Sequence, residues 1–352
     1  MVRNVENFRP NLLDFTLEEM ENFIIGLGKE KFHARQIMKW LHQKDVASFD
    51  EMTTLSRDFR DKLSQISRIS LPRIVKIQTS QDTTKKALLR LEDGSFIESV
   101  LIPGKNHWTI CISTQVGCAM GCKFCLTARQ GFKRNLTPAE ITGQLIVLRR
   151  ENAKGPAIKN IVMMGMGEPL ANYENTLKAI QILTSDFGAA FSNRKVTVST
   201  CGLAPEIIQL GKDICINLAV SLNAADDLTR GKLMPVNKKY PLVKLLAACR
   251  KYPMPGRRLL TFEYILIANV NSSVQEAEKL ALLLKNQRCK INLIIFNEFP
   301  GSEFKAPPPE DVHNFQQILI KNNFTTILRA SRGADIFAAC GQLSGAQKIN
   351  SQ

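Results

Sequence analysis

The chain has 352 residues, 44% hydrophobic and 22% charged, which suits a globular protein with an ample core and excludes a disordered or fibrous one. Nine cysteines, no apolar leader in Met1 to Phe15 and no membrane-length apolar run exclude a secreted disulfide scaffold and a membrane protein, and point to a reducing cytoplasm. The net charge of +15 directs attention to a polyanionic partner, nucleic acid first.

Residues 1–75 read as a small helical domain. Thr16 and Glu19 form a capping-box pattern, followed by Leu17, Met20, Ile24 and Leu27 at helical spacing, with Gly26 and Gly28 ending the run. A second helix carries Phe32, Ile37, Trp40 and Leu41. Ser48 and Glu51 would cap a third, and Phe59, Leu63 and Ile66 mark a fourth. Such a bundle either only packs or docks RNA; the latter is the preferred expectation. Its charge is nearly balanced, 12 Lys/Arg against 11 Asp/Glu, so it is not a basic tail. Residues 76–103 read as a strand-rich connector, with a turn at Glu92-Asp93-Gly94-Ser95 and a final strand from Phe96 to Pro103. Nearly all the surplus charge belongs to residues 104–352.

That last stretch alternates regularly. Strands are expected at Thr109–Val116, Ile158–Met164, Lys195–Thr200, Cys215–Leu222, Leu260–Ile267 and Lys290–Phe296. Helices are expected over 138–151, 174–186, 204–210, 242–251, 273–287 and 310–322. Six strand–helix units imply an α/β fold with a parallel sheet covered by helices. Ligands of such sheets gather at the C-terminal strand ends.

Cys118-Ala-Met-Gly-Cys122-Lys-Phe-Cys125 follows the first of these strands. Three thiolates at this spacing can hold three irons of a 4Fe-4S cluster and leave the fourth open. A zinc site would want four ligands, usually as two pairs, and only His107 is nearby. Coincidence is the remaining alternative. After the second strand comes Gly165-Met-Gly-Glu-Pro169, whose glycines allow a ligand close to the backbone. Taken alone it is an ordinary strand-to-helix turn. Ser199, Ser221 with Asn223, and Asn297 end later strands, as candidates for a polar rim or as helix caps. Cys111 and Cys340 alone would be small buried apolar residues, and Cys201, Cys215, Cys249 and Cys289 are left as such. Glu98 alone would be a solvated strand residue.

The cysteine spacing with Phe124 resembles the signature of radical S-adenosylmethionine (SAM) enzymes. Several further segments resemble one branch of them, the RlmN/Cfr family of RNA methyltransferases: Cys111 to Cys118, Gln130 to Leu136, Gly165 to Leu170, Pro235 to Tyr240, Lys290 to Leu293, Ser331 to Asp335 and Ala339 to Leu343. Phe32 to Ile37 extends the likeness to the N-terminal region. The resemblance implies a partial (β/α)6 radical SAM barrel with a small N-terminal helical domain. It implies one 4Fe-4S cluster on Cys118, Cys122 and Cys125, and two SAM molecules per turnover. SAM contacts would come from Gly167, Glu168, Ser199, Ser221, Leu222, Asn223 and Asn297; the family often has histidine at the position of Asn223.

The implied reaction is methylation of adenine carbon 2, in 23S rRNA at the peptidyl-transferase centre and beside the anticodon of certain tRNAs. Carbon 2 is electron-poor and cannot attack SAM directly, whereas a thiolate can. By the resemblance, Cys340 takes the methyl from a first SAM. Cleavage of a second SAM at the cluster activates that methyl for bonding to carbon 2. Glu98 accepts the proton of carbon 2, and Cys111 resolves the RNA adduct by forming a transient disulfide with Cys340, which a reducing system reopens. The target base must be unstacked to be reached. Methylation at carbon 8 of the same rRNA adenine, as by Cfr, uses the same cysteines. A radical SAM enzyme of peptides or small molecules and a zinc-bound RNA-binding module are the other readings.

Overall fold

The computed structural model of the protein describes residues 9–345, so residues 1–8 of the stretch inspected for a leader lie outside the described residues. The chain opens with three helices, α1 (Leu17–Gly26), α2 (Lys31–His42) and α3 (Arg57–Ile66). The Thr16–Glu19 capping box is made in full: Glu19 N–H donates to Thr16 Oγ1 at 3.3 Å and Thr16 N–H to Glu19 Oε2 at 2.9 Å. Ser48 and Glu51 also form a box, but it starts only a 3-10 turn, Phe49–Glu51. The apolar run after it is too short to propagate a helix.

Three antiparallel strands follow: β1 (Arg73–Thr79), β2 (Lys85–Arg90) and β3 (Phe96–Pro103). Next come β4 (Trp108–Cys111), the hairpin β5 (Gln115–Gly117) and β6 (Phe132–Asn135) with α4 (Leu126–Arg129) between them, and α5 (Pro138–Glu151). The alternation then runs β7 (Ile158–Met163), α6 (Tyr173–Thr184), β8 (Val196–Thr200), α7 (Ala204–Asp213), β9 (Asn217–Ser221), α8 (Asp227–Leu233), α9 (Leu242–Lys251), β10 (Leu260–Leu266), α10 (Val274–Leu284), β11 (Cys289–Ile295), α11 (Pro309–Lys321) and β12 (Thr325–Arg329).

Ten strands make one sheet in the order β1-β2-β3-β4-β7-β8-β9-β10-β11-β12. β3 meets β4 antiparallel, and every pairing from β4 onward is parallel. β10 is buried along its whole length, as a strand covered on both faces must be. The α/β partial barrel with a small helical N-terminal region is therefore present, with two differences from the sequence reading. The expected first strand, Thr109–Val116, breaks after Cys111, and its last residues turn away to pair with β6. A further parallel strand, β12, lies on the open edge; its exposed Thr-Thr-Ile-Leu-Arg lacks the apolar run that marks a covered strand.

The barrel strands and helices share one large core, whereas α1–α3 enclose a second. That second core reaches Ala139 and Ile146 of α5 and Ile182 of α6, so the helical region is seated on the barrel. Asp14 accepts the N–H of Ala139 at 2.8 Å, covering an orphan donor at the start of α5. Arg149 donates to Asp45 Oδ1 at 3.0 Å and to the carbonyl of His42 at 2.9 Å. Among the described residues, no helix is long and apolar enough to cross a membrane.

Candidate active site

The break after β4 builds the cysteine loop. Where the ladder ends, Gln144 of α5 replaces it: Ser113 N–H donates to Gln144 Oε1 and Gln144 Nε2 donates to Ser113 O, both at 2.8 Å. The chain then enters the β5–β6 hairpin through Gly117, at φ 74°. A Cβ here would lie 1.8 Å from the carbonyl oxygen of Gly131, so only glycine fits. Cys118 N–H bonds that same carbonyl at 3.0 Å. Gly121, also left-handed, turns the chain so that Cys118, Cys122 and Cys125 all face one cavity.

This cavity lies at the C-terminal ends of the parallel strands and holds about 180 Å³. Burial, with the neighbouring thiols adding, pushes Cys118 up to about 12 and Cys122 well above the thiol range. Without a cation beside them Cys118 and Cys122 are held protonated; an iron cluster would remove that cost by binding them as thiolates. Among the described residues no three His, Cys, Asp or Glu side chains converge closely enough for a single metal ion. Three thiols from one loop fall one short of a four-ligand zinc site and match a 4Fe-4S cluster with one open iron, so the chemistry of the donor set fits the cluster better than zinc.

The adjoining wall is the turn after β7. A Cβ on Gly165 would lie 2.7 Å from Ser113 Oγ, and one on Gly167, at φ 101°, 2.5 Å from Gln115 Cβ. The glycines thus serve close packing against the β4–β5 chain, and both also line the cavity. Glu168 lines it too, but its carboxylate is engaged: Oε2 accepts Cys201 N–H at 2.7 Å and Oε1 accepts Leu170 N–H at 3.1 Å. Burial raises its pKa, and those bonds oppose the rise.

Ser199, Ser221 and Asn223 line the same space at the ends of β8 and β9. Asn223 adopts φ 61°, which asparagine tolerates. Its Oδ1 accepts Ile265 N–H at 2.9 Å, so it braces β10. Two expected residues stand back from the cavity. Leu222 is buried in the main core, its N–H donating to Glu263 O at 2.9 Å. Asn297 donates to the carbonyl of Cys340 at 3.2 Å.

Cys111 and Cys340, far apart in sequence, line this one cavity with the triplet. Cys340 rides on a segment that returns over the site after β12. Leu126 N–H bonds Gly341 O at 2.7 Å, Thr127 Oγ1 bonds Leu343 O at 2.6 Å, and Gln342 Nε2 bonds Glu298 O at 2.9 Å. Gly341, at φ 82°, would bring a Cβ within 3.0 Å of Phe124 O. Glu98 is buried on β3 outside the cavity lining, facing Lys86 at 3.0 Å.

Sequence reasoning missed several participants. Cys201, read as a small core residue, lines the cavity beside the triplet. Glu263, buried mid-strand on β10, lines it as well and accepts Asn292 Nδ2 at 2.9 Å. Arg230 is fully buried and ties strand ends together, donating to Leu222 O at 3.0 Å, Cys201 O at 2.7 Å and Asn237 Oδ1 at 2.8 Å. An acidic residue inside an apolar strand was the available signal for Glu263; nothing comparable marked Arg230.

A cysteine triplet after the first parallel strand, a glycine-rich turn after the second and a cavity at the strand ends define a radical SAM enzyme. The Radical SAM superfamily model matches residues 112–283. The crystal structure of a radical SAM methyltransferase from Sphaerobacter thermophilus superposes with a TM-score of 0.91, at 41% identity, covering 96% of this chain and 100% of that one. Within that class, the chain belongs to the RlmN family. Residues 10–69 match the Ribosomal RNA large subunit methyltransferase N-terminal domain. The Dual-specificity RNA methyltransferase RlmN of Syntrophus aciditrophicus (strain SB) is 66% identical over 337 residues, 96% of this chain and 97% of that protein. The protein of the same name from Geotalea uraniireducens (strain Rf4) is 50% identical with the same coverage.

Proposed function

We propose that this radical SAM RNA methyltransferase methylates carbon 2 of adenine, in 23S rRNA at the peptidyl-transferase centre and in tRNA beside the anticodon. The observation that carries the reading is the meeting of Cys111 and Cys340 with the cysteine triplet in a single cavity. A plain SN2 methyltransferase needs neither extra thiol.

Cys118, Cys122 and Cys125 would hold one 4Fe-4S cluster. Gly167, Glu168, Ser199, Ser221, Leu222, Asn223 and Asn297 would orient SAM, with Leu222 and Asn297 acting through their neighbours. When bound, the cluster supplies an electron, and two SAM molecules per turnover supply the methyl group and the hydrogen-abstracting radical. Cys340 bears the methyl carbon on its sulfur and presents it to the base. Glu98 accepts the carbon 2 proton after its present partners yield. Once the adduct has given up the carbon 2 proton and has returned to the cluster the odd electron left by radical addition, the Cys111 thiolate attacks Cys340 Sγ. The S–CH2 bond breaks, its electron pair goes onto the carbon attached to the base, a proton taken up there completes the methyl group, and the disulfide left behind is reopened by a cellular reductant. The α1–α3 domain, residues 1–75, would dock the RNA and the 76–103 strands would join it to the catalytic domain, 104–352. The reaction belongs in the cytoplasm, where RNA and reductant are found.

The test is anaerobic cluster reconstitution, incubation with SAM and unmodified rRNA or tRNA, then nucleoside mass spectrometry. The expected product is 2-methyladenosine. 8-Methyladenosine, or no methylated adenosine from active-cluster protein, overturns the reading.

A further inference from the structure

The segment bearing Cys340 is fastened to the antiparallel end of the sheet through a buried ion pair. Lys86 on β2 and Glu98 on β3 lie diagonally across one strand pair, since Lys86 faces Val100 and Leu88 faces Glu98. Lys86 Nζ is 3.0 Å from Glu98 Oε1, with side chains 8% and 4% exposed. Each partner also holds one end of the segment. Lys86 Nζ donates to Phe337 O at 3.1 Å, before Cys340. Glu98 Oε2 accepts Ser344 N–H at 2.7 Å and Gly345 N–H at 3.1 Å, beyond it. Gly345 runs so close to β3, at φ 61°, that a Cβ would lie 2.8 Å from Phe96 O.

We propose that Lys86 and Glu98 form a latch that fixes where Cys340 sits over the cavity, with Lys86 as a positioning residue for the methyl-bearing cysteine. The proposal rests on the reading that Cys340 carries the methyl. Neither charge is stable in this interior alone, and each uses its spare hydrogen-bonding capacity on the segment's backbone. Removing the ammonium leaves the buried carboxylate without its ion-pair partner, free to shift away from the two amides. Glu98 thus has a task before RNA arrives, distinct from accepting a proton from the base.

The timing makes the latch testable, because on this reading Cys340 takes its methyl before RNA is bound. Cluster-loaded wild type, Lys86→Met, Lys86→Arg and Glu98→Gln are given SAM and no RNA. Peptide mass spectrometry follows S-methylation of Cys340, and hydrogen exchange follows the amides of residues 337–345. In Lys86→Met and Glu98→Gln, exchange at Ser344 and Gly345 should quicken about tenfold or more, and methyl loading should slow about tenfold, with iron content and SAM affinity unchanged. Lys86→Arg, which keeps the charge, should recover most of both.

If Glu98→Gln loads methyl and exchanges like wild type, the latch is wrong and Glu98 acts only on RNA. If wild type never gains a methyl on Cys340, the reading of Cys340 fails, and exchange in the variants still decides the latch. Should Lys86→Met lose its iron, Lys86→Arg and Glu98→Gln decide: wild-type exchange in Glu98→Gln overturns the proposal, and fast exchange there with slow exchange in Lys86→Arg supports it.

Discussion

Cys111 and Cys340 reach one cavity from opposite ends of the barrel, and their surroundings set their reactivity. Burial, with Cys340 adding, holds the Cys111 thiol far above its ordinary range. Only the thiolate attacks, so resolution of the RNA adduct should speed up about tenfold per pH unit between pH 7 and 9, read by single-turnover release of RNA. Cys340→Ala should abolish methylated product, whereas Cys111→Ala should accumulate protein joined to RNA, visible as a shifted band on a denaturing gel. Normal turnover by Cys111→Ala would remove its resolving role. The triplet, Gly167, Ser199, Ser221 and Asn223 were legible because motifs or strand-end positions mark them. Cys201, Arg230 and Lys86 were not, because a buried cysteine, arginine or lysine acquires meaning only from neighbours distant in sequence.

At the scale of elements, the sequence located α5 and α9 with the bounds the structure gives, since Pro138 opens the first and Pro241 stands just before the amphipathic second. It did not reveal α8, whose short polar run Asp227–Leu233 has little apolar pattern. The hairpin around the triplet depends on Gly117, and Gly117→Ala should lower thermal stability and iron occupancy together, measured by calorimetry and iron assay. The docking of α1–α3 carries a balance of two buried groups near Arg149. His42 is pushed down to about 3 by burial, so its contribution to stability is present above pH 6.5 and is lost as the pH falls. That loss amounts to about 2 kcal/mol by pH 5. Asp45 is raised to about 6 by burial, so its cost is present above pH 6 and fades as the pH falls towards 4. The two nearly offset between pH 6.5 and 5. Asp45→Asn should therefore bring out a loss of stability across that range in denaturant titrations, and His42→Leu should reverse the sign, so that stability rises as the pH falls.

Over the whole molecule, the +15 charge is spread unevenly: residues 1–75 contribute almost none of it and residues 104–352 nearly all. If RNA binding neutralises about five phosphates, KM for RNA should rise about tenfold between 0.1 and 0.2 M salt, while kcat changes little. Steady-state kinetics across that range would check this; a flat KM would mean that shape, not charge, secures the substrate. The global charge and the strand–helix alternation were plain in the sequence. The return of the Cys340 segment onto β2 and β3 was not, because a contact between the two ends of a chain leaves no local pattern.

The sheet order follows chain order, so each strand of the ten can add to a neighbour already made as the chain leaves the ribosome. The latch residues Lys86 and Glu98 emerge early, whereas the segment they grip emerges last. A nascent chain arrested before Gly333 would possess the cysteine triplet but neither Cys340 nor the side of the cavity that its segment supplies. On the proposed chemistry, an unfinished chain would be unable to modify RNA until that segment had been gripped.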